Sequence, residues 1–230
     1  MISQLKSENL SVIIRNKNEE RWIGHAIQSI IDLVVCPEII VIDNNSTDNS
    51  LSIVKNFMQD PLLESRNSKN YTEVKIINIE DYTPGKAINL GVKNSERDYI
   101  LIMSSHCVLK KINLNLLQKK IKNYCAIFGN QIPIWNGKKI NKRYIWSHFI
   151  DEEKQNMFSD HEKRYFFHNA ISFFHKETLV KKPFDEFIQG KEDRYWINQR
   201  VKDGESFLYD PTMSVDHHYT INGNTWKGVG

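Results

Sequence analysis

The chain has 230 residues, enough for one large domain or two small ones. Its 31 basic and 28 acidic side chains leave a formal charge of +3, too small to mark a nucleic-acid binder by itself. With 40% hydrophobic and 26% charged residues it is neither a disordered chain nor a coiled coil, and three cysteines without a CxxC spacing exclude a disulfide scaffold and a zinc ribbon. A chain of this size can bury roughly 70% of its surface around one core. No run of 18 apolar residues occurs, and the opening MISQLKSENLSVIIRNKNEE carries no apolar segment long enough for a signal peptide. The expected location is therefore cytoplasmic, with any membrane contact peripheral.

In chain order, residues 10–14 (LSVII) are nearly all apolar, as a strand buried on both faces should be. Residues 20–33 then set Trp22, Ile23, Ala26, Ile27, Ile30 and Ile31 at helical spacing. A second strand, EIIVID at 38–43, ends on a carboxylate, and Asn45-Ser46-Thr47-Asp48 offers cap chemistry to a helix through Met58. Residues 60–72 read as a loop, 74–79 as a strand, 86–94 as a helix opened by Pro84-Gly85, and 99–103 (YILIM) as a fourth strand. Beyond residue 108 the pattern loosens. Helices are expected over 112–123, 142–157 and 191–203, the last closed by Gly204, with strands over 125–129, 170–174, 207–209 and 213–217.

Strand–helix alternation predicts an α/β fold with a mostly parallel sheet and helices on both faces, binding its ligand beyond the carboxyl ends of the strands. Residues 15–19, 43–46 and 104–107 then share one rim. Asp43 and Asn44 either begin a turn or meet a ribose or base edge. Neither GxGxxG nor GxxxxGK[ST] is present, which disfavours a dinucleotide enzyme and removes a P-loop. The histidines lack HExxH or zinc-finger spacing. Cys107 beside His106 is a poor nucleophile–base pair, because adjacent side chains on a strand point opposite ways.

The segments SVIIRNKNEERWI, EIIVIDNNSTDNSLSIVKNF, PGKAINLGV and DYILIMSSHCVL, followed by GKEDRYWINQRVKDG and YDPTMSVDHHY, resemble in order and spacing the family 2 glycosyltransferases with the GT-A fold. The likeness runs over about residues 10–218. It implies a single GT-A domain, with a nucleotide-sugar-binding half over about 10–108 and an acceptor-binding half with the catalytic base over about 109–230. It implies an inverting transfer of a sugar from a nucleotide-sugar to a hydroxyl acceptor, the bacterial members suggesting a lipid-linked glycan at the inner membrane face. Carried over by position, donor binding falls to Arg15, Asn18, Glu19, Asp43, Asn44, Lys86, Asn89, Ser104, Ser105 and His106. Asp193 matches the general base and Glu192 its orienting neighbour, while His168, Asn169 and Trp196 fall on the acceptor side.

One departure stands out. The family's Asp-any-Asp position holds Ser104-Ser105-His106, with no carboxylate for Mg²⁺. Two readings stay open there: a metal-free site, towards which the missing acids lean, or Mn²⁺ held by the diphosphate with His106 and His217 or His218. Without the resemblance, Glu192-Asp193 would read as acids that cap a first helical turn. The aromatic and basic residues between Trp135 and Phe174 could stack on sugar rings and face lipid phosphates, or fill the core. A nucleotidyltransferase would need acidic metal ligands; a sugar- or partner-binding module without turnover is the remaining alternative.

Overall fold

A computed structural model describes residues 9–58, 72–141, 144–223 and 226; the expected loop at 60–72 lies almost wholly outside them, as do Lys142 and Arg143. The chain runs β1 (Leu10–Asn16), α1 (Ile23–Leu33), β2 (Glu38–Asp43), α2 (Ser50–Met58), β3 (Glu73–Asn78), α3 (Pro84–Asn94), β4 (Tyr99–Ser104), β5 (Cys107–Lys111), α4 (Leu114–Lys120) and β6 (Ala126–Trp135). Short strands β7 (Lys138–Lys139), β8 (Lys154–Gln155), β9 (Phe158–Ser159) and β10 (Arg164–Tyr165) follow, then β11 (Ile171–His175), α5 (Lys176–Lys181), α6 (Glu192–Lys202) and β12 (Phe207–His218).

The main sheet has the order β3-β2-β1-β4-β11-β6-β12-β5. Strands β3, β2, β1 and β4 run parallel, β11 runs antiparallel to both β4 and β6, and β12 is parallel to β6. Alternation along the strands divides the core between the two faces. Val12, Ile14, Ile39 and Val41 pack with Ile23, Ile27 and Ile30 of α1 and Val54 of α2. Ile13, Ile40 and Ile42 face the other way, against Ala87 and Ile88 of α3 and Trp196 and Ile197 of α6. Gly91 permits that second layer: a Cβ there would lie 2.6 Å from the Ile13 side chain.

Strand order reverses between β1 and β4, where β1 leads outward to β2 while β3 returns through α3 to β4. Such a switch point opens a crevice at the strand ends. Arg15 and Ser104 are register partners there.

Two expectations fail. No long helix covers 142–157; Tyr144–His148 forms a single 3-10 turn, and the chain then becomes irregular up to β8. Ile145, Trp146 and Phe149 are buried by that turn, and the Tyr209 hydroxyl donates to Ile150 O at 2.6 Å, so tertiary packing overrides the helical spacing. The expected strands at 207–209 and 213–217 are one strand, β12, whose register against β6 shifts between Asp210 and Ser214. Pro211 has no N–H for a ladder, and Asp210 Oδ1 accepts from Thr212 N (2.9 Å) and Oγ1 (2.6 Å), so the chain bulges and resumes pairing.

Candidate active site

A cavity of about 390 Å³ opens at the switch point. Its donor-side wall is Arg15, Glu19, Asn44, Ser104, Ser105 and His106; the opposite wall is His168, Asn169, Glu192 and Asp193. The structure thus gathers Arg15 and Asp193, 178 positions apart, into one cavity.

Strand ends and loop ties hold the donor wall. Asp43 closes β2 but does not face the cavity. It is fully buried, with Oδ1 accepting from Asn16 Nδ2 (2.8 Å) and Ser46 Oγ (2.6 Å) and Oδ2 from Ser46 N (2.8 Å), so it organises the loop that presents Asn44. Asn18 has a left-handed backbone (φ 51°) and accepts from Thr47 N at 2.7 Å, a loop tie rather than a cavity group. Lys86 bonds its Nζ to Glu80 O at 3.0 Å. Asn89 grips Phe184 through both amide atoms, at 2.8 and 3.0 Å. Trp196 is interior, donating from Nε1 to Lys182 O (2.8 Å) and stacked on Phe184. None of these five residues, expected at the donor or acceptor, lines the cavity.

Lys17, Tyr82, Lys191 and the 222–223 segment also line the cavity. Lys17 lay within the expected rim loop. Nothing local marks Tyr82, and Asn222 arrives only because its Nδ2 bonds Lys17 O at 3.1 Å.

The acid pair opens α6. Gly190 has φ 147° and Lys191 φ 62°, so the chain turns sharply before the helix, at a φ that glycine tolerates. Glu192, 6% exposed, takes an ion pair from Arg15 Nη1 at 2.6 Å. Asp193 is half-buried; Oδ2 accepts from Asn169 N at 3.3 Å and Oδ1 from Arg194 N at 2.8 Å. Burial raises both carboxyls above their ordinary range, and the Asp193 charge pushes Glu192 further. Arg15 is buried too, which works against its charge, but Glu192, Tyr82 and Asp193 together hold it above its ordinary value. Arg15 engages Glu192 directly, whereas Asp193 is held by two backbone N–H donors.

Beside this pair lie orphaned polar atoms: His168 Nε2 and Asn169 Nδ2 are buried without a partner, as is Asn16 Oδ1 on the donor wall. His168 is 3% exposed, and burial, with Arg164 and Arg194 nearby, pushes its pKa down to about 3, so it is the neutral imidazole. Unfilled donors and acceptors around a cavity suit a hydroxyl-rich ligand.

Two histidines meet beside the end of β4. His106 Nε2 lies 3.1 Å from His217 Nε2, and His106 Nδ1 is 3.3 Å from Glu19 Oε1. His217 Nδ1 is 2.9 Å from Gln131 Oε1, and burial together with the neighbouring histidines holds His217 well below its ordinary value. His218, its strand neighbour, turns to the other face and stacks on Trp22 at 3.9 Å. Two convergent imidazoles without a carboxylate fit a transition ion completed by ligand oxygens and not Mg²⁺. Among the described residues, the one group of three acids within metal-ligand reach is Glu38, Glu73 and Glu96, and Lys75 Nζ occupies its centre at 2.8–3.2 Å. Cys107 is buried with its thiol pushed up, chiefly by burial, and is no nucleophile.

Trp146, Phe149, Phe166 and Phe167 are core. A second cavity, about 620 Å³, is lined by Lys110, Lys111 and Lys139 with Asn130, Ile132 and Asp151. No helix among the described residues is long and apolar enough to cross a membrane.

A strand-end rim facing an acid pair at a helix start, on this sheet order, is the GT-A arrangement of sugar transferases. The family model "Glycosyl transferase family 2" matches residues 11–181, and the chain belongs to that family. It is 24% identical over 229 residues to a dolichyl N-acetyl-α-D-glucosaminyl phosphate 3-β-D-2,3-diacetamido-2,3-dideoxy-β-D-glucuronosyltransferase of Methanococcus voltae, covering 92% of this chain and 67% of that protein. A GalNAc(5)-diNAcBac-PP-undecaprenol β-1,3-glucosyltransferase of Campylobacter jejuni is 26% identical over 197 residues, covering 82% of this chain and 59% of that protein. Among solved structures, the mannosyltransferase PcManGT from Pyrobaculum calidifontis, in complex with GDP-Man and Mn²⁺, superposes with a TM-score of 0.67 at 16% identity, over 97% of this chain and 61% of that one.

Proposed function

We propose that this chain is an inverting glycosyltransferase that moves a sugar from a nucleotide-sugar to a hydroxyl of a lipid-linked glycan. The observation that carries the reading is the Asp193 carboxylate, raised by burial and anchored by the Asn169 N–H, facing the strand-end rim across one cavity. The nucleotide sits against residues 15–19 and Asn44, with its diphosphate toward Ser104, Ser105 and His106. Asp193 takes the proton of the acceptor hydroxyl as that oxygen attacks the anomeric carbon from the side opposite the leaving diphosphate. Arg15 holds Glu192 in place, so Glu192 orients the site without taking the proton. Lys17 and Lys191 at the cavity wall favour the charge that builds on the departing group. His168 and Asn169 bring unfilled hydrogen-bonding capacity to the acceptor side.

A transition ion, where bound, would be held by His106 and His217 and would supply positive charge to the leaving diphosphate. The acceptor class is supported by two relatives whose names carry dolichyl phosphate and undecaprenyl diphosphate. A peripheral membrane approach is supported by the lysine-lined second cavity and by Trp135 and Ile150, large apolar side chains exposed on that half of the chain.

The test is a turnover assay with a panel of nucleoside diphosphate sugars and lipid-linked acceptors, reading nucleotide release and the anomeric configuration of the product. Release of nucleotide with an inverted product, lost in Asp193→Asn, is expected. A retained configuration, or turnover undiminished in that variant, contradicts the reading.

A further inference from the structure

We infer that the second cavity is a headgroup pocket, taking from the membrane surface a phosphate ester that also carries a free hydroxyl. The inference rests on the peripheral membrane approach read above and names what that approach recognises. No residue lines both this cavity and the active-site cavity.

The pocket is built on one row of the sheet. Lys111 of β5 and Asn130 of β6 are both register partners of Ser214 of β12, so the three lie abreast across adjacent strands, and all three line the cavity. Ile132, two residues along β6 from Asn130, lines it as well. The row falls where β12 resumes its pairing with β6 after the bulge, and Pro211 of that bulge is part of the wall. Lys110 and Lys139 add to the positive charge; Lys110 Nζ also stands 3.6 Å from Asp216 Oδ2. Asp151 is the one carboxylate among the lining residues, so cations prevail and the pocket favours an anion.

Asn130 narrows the choice of anion. It is 8% exposed, and its Oδ1 is buried without a partner. That oxygen can only accept, and a phosphate diester has no hydrogen of its own to offer. The lysines call for a phosphate and the carboxamide for a donor, and a phosphate ester with a free hydroxyl answers both. An ammonium head would also satisfy Oδ1, but the lysines around it repel a second cation. The flanking side chains point to a lipid as the source. Ile150 precedes Asp151 in the chain, Trp135 pairs with Lys138 next to Lys139, and both are large apolar groups exposed to solvent. Apolar groups beside a basic pocket suit a surface where acyl chains lie beneath phosphates.

The test is co-sedimentation at low salt with phosphatidylcholine vesicles carrying equal fractions of phosphatidylglycerol or of phosphatidylethanol, which has the same charge and no hydroxyl. Wild type is expected to bind the phosphatidylglycerol vesicles about fivefold more tightly, the worth of one hydrogen bond. Asn130→Leu should lose that preference, and Lys111→Gln and Lys139→Gln should each weaken binding to both vesicles about fivefold. The wild-type ratio decides whether the hydroxyl is read even if Asn130→Leu fails to fold. Free glycerol phosphate, titrated without vesicles, should bind far more weakly because it brings no apolar contact. Equal binding to the two anionic vesicles, or a preference that survives in folded Asn130→Leu, overturns the pocket and leaves the membrane approach standing. Binding to neither vesicle overturns both, and glycerol phosphate binding as tightly as the vesicle overturns the lipid source. Nucleoside diphosphate binding, read on the same protein, tests the transferase reading separately.

Discussion

Charged clusters sit at both ends of the parallel strands, and they differ in what is left over. At the amino ends, Glu38, Glu73 and Glu96 close around Lys75, and the fully buried Glu38 also takes hydrogen bonds from Ser11 Oγ and Glu96 N. None of these side-chain atoms is buried without a partner. At the carboxyl ends, Arg15, Glu192, Asp193 and the histidines share a cavity in which Asn16, His106, His168 and Asn169 keep unpartnered atoms. The same chemical groups are thus used twice: a saturated cluster holds strands together, and an unsaturated one waits for a ligand. Lys75 lies well above its ordinary value because three carboxylates outweigh its burial, and Glu38 lies below its own because Lys75 and its donors outweigh burial. Asp193 goes the other way, since its few donors leave burial dominant.

That contrast breaks most visibly at Asp193. Asp193→Asn is expected to lower kcat by about 10²- to 10⁴-fold in the transfer assay. Wild-type activity should rise with pH through the elevated Asp193 value, because the base must be ionised. The fold should respond with the opposite sign: the native state holds that proton more tightly than the unfolded chain, so the group's contribution to stability declines as pH rises through the same window. The variant should therefore unfold no earlier than wild type at neutral pH. Lys75→Met should do the reverse, costing about 3 kcal/mol in denaturant unfolding because Glu38 is left buried and unpaired, while nucleotide binding by the folded fraction is unchanged.

A smaller effect separates the two ends by pH. His168 stays neutral in the native state down to about pH 3, whereas the unfolded chain takes up its proton near 6.5. Stability should therefore fall as pH drops through that interval, by up to about 1.4 kcal/mol per pH unit, and His168→Gln should remove this portion of the slope in unfolding curves. The lysine-lined cavity gives a further test, its effect about 1 kcal/mol at each position. Replacing Lys110, Lys111 and Lys139 with Glu should weaken partition onto anionic vesicles by about 1 kcal/mol per lysine at low salt, with no change on neutral vesicles and none in nucleotide binding.

Much of this was legible in the sequence. The nearly unbroken apolar runs of β1, β2 and β4 and the helical spacing of α1 are local signals, and they placed the rim that holds Arg15, Asn44 and His106. The acid pair stood out only through the family resemblance, since Gly190 and the helix that follows equally mark a pair of first-turn acids. Lys86, Asn89 and Trp196 do not line the cavity, because position in a motif does not say which way a side chain faces; each donates to a backbone carbonyl. The irregular stretch before β8 and the bulge that joins β12 into one strand are decided by partners far along the chain. The meeting of His106 with His217, 111 residues apart, depends on the register of β12 against β5 and has no local signature.

The central claim is that the cavity at the β1–β4 switch point binds a nucleoside diphosphate. Thermal unfolding against a panel of nucleoside diphosphates, each in EDTA and in Mn²⁺, tests it most directly. One base should raise the midpoint, by the equivalent of about 2.7 kcal/mol at a hundredfold excess over its dissociation constant, and Mn²⁺ should enlarge the shift. A midpoint that no nucleotide moves in either condition would contradict the account.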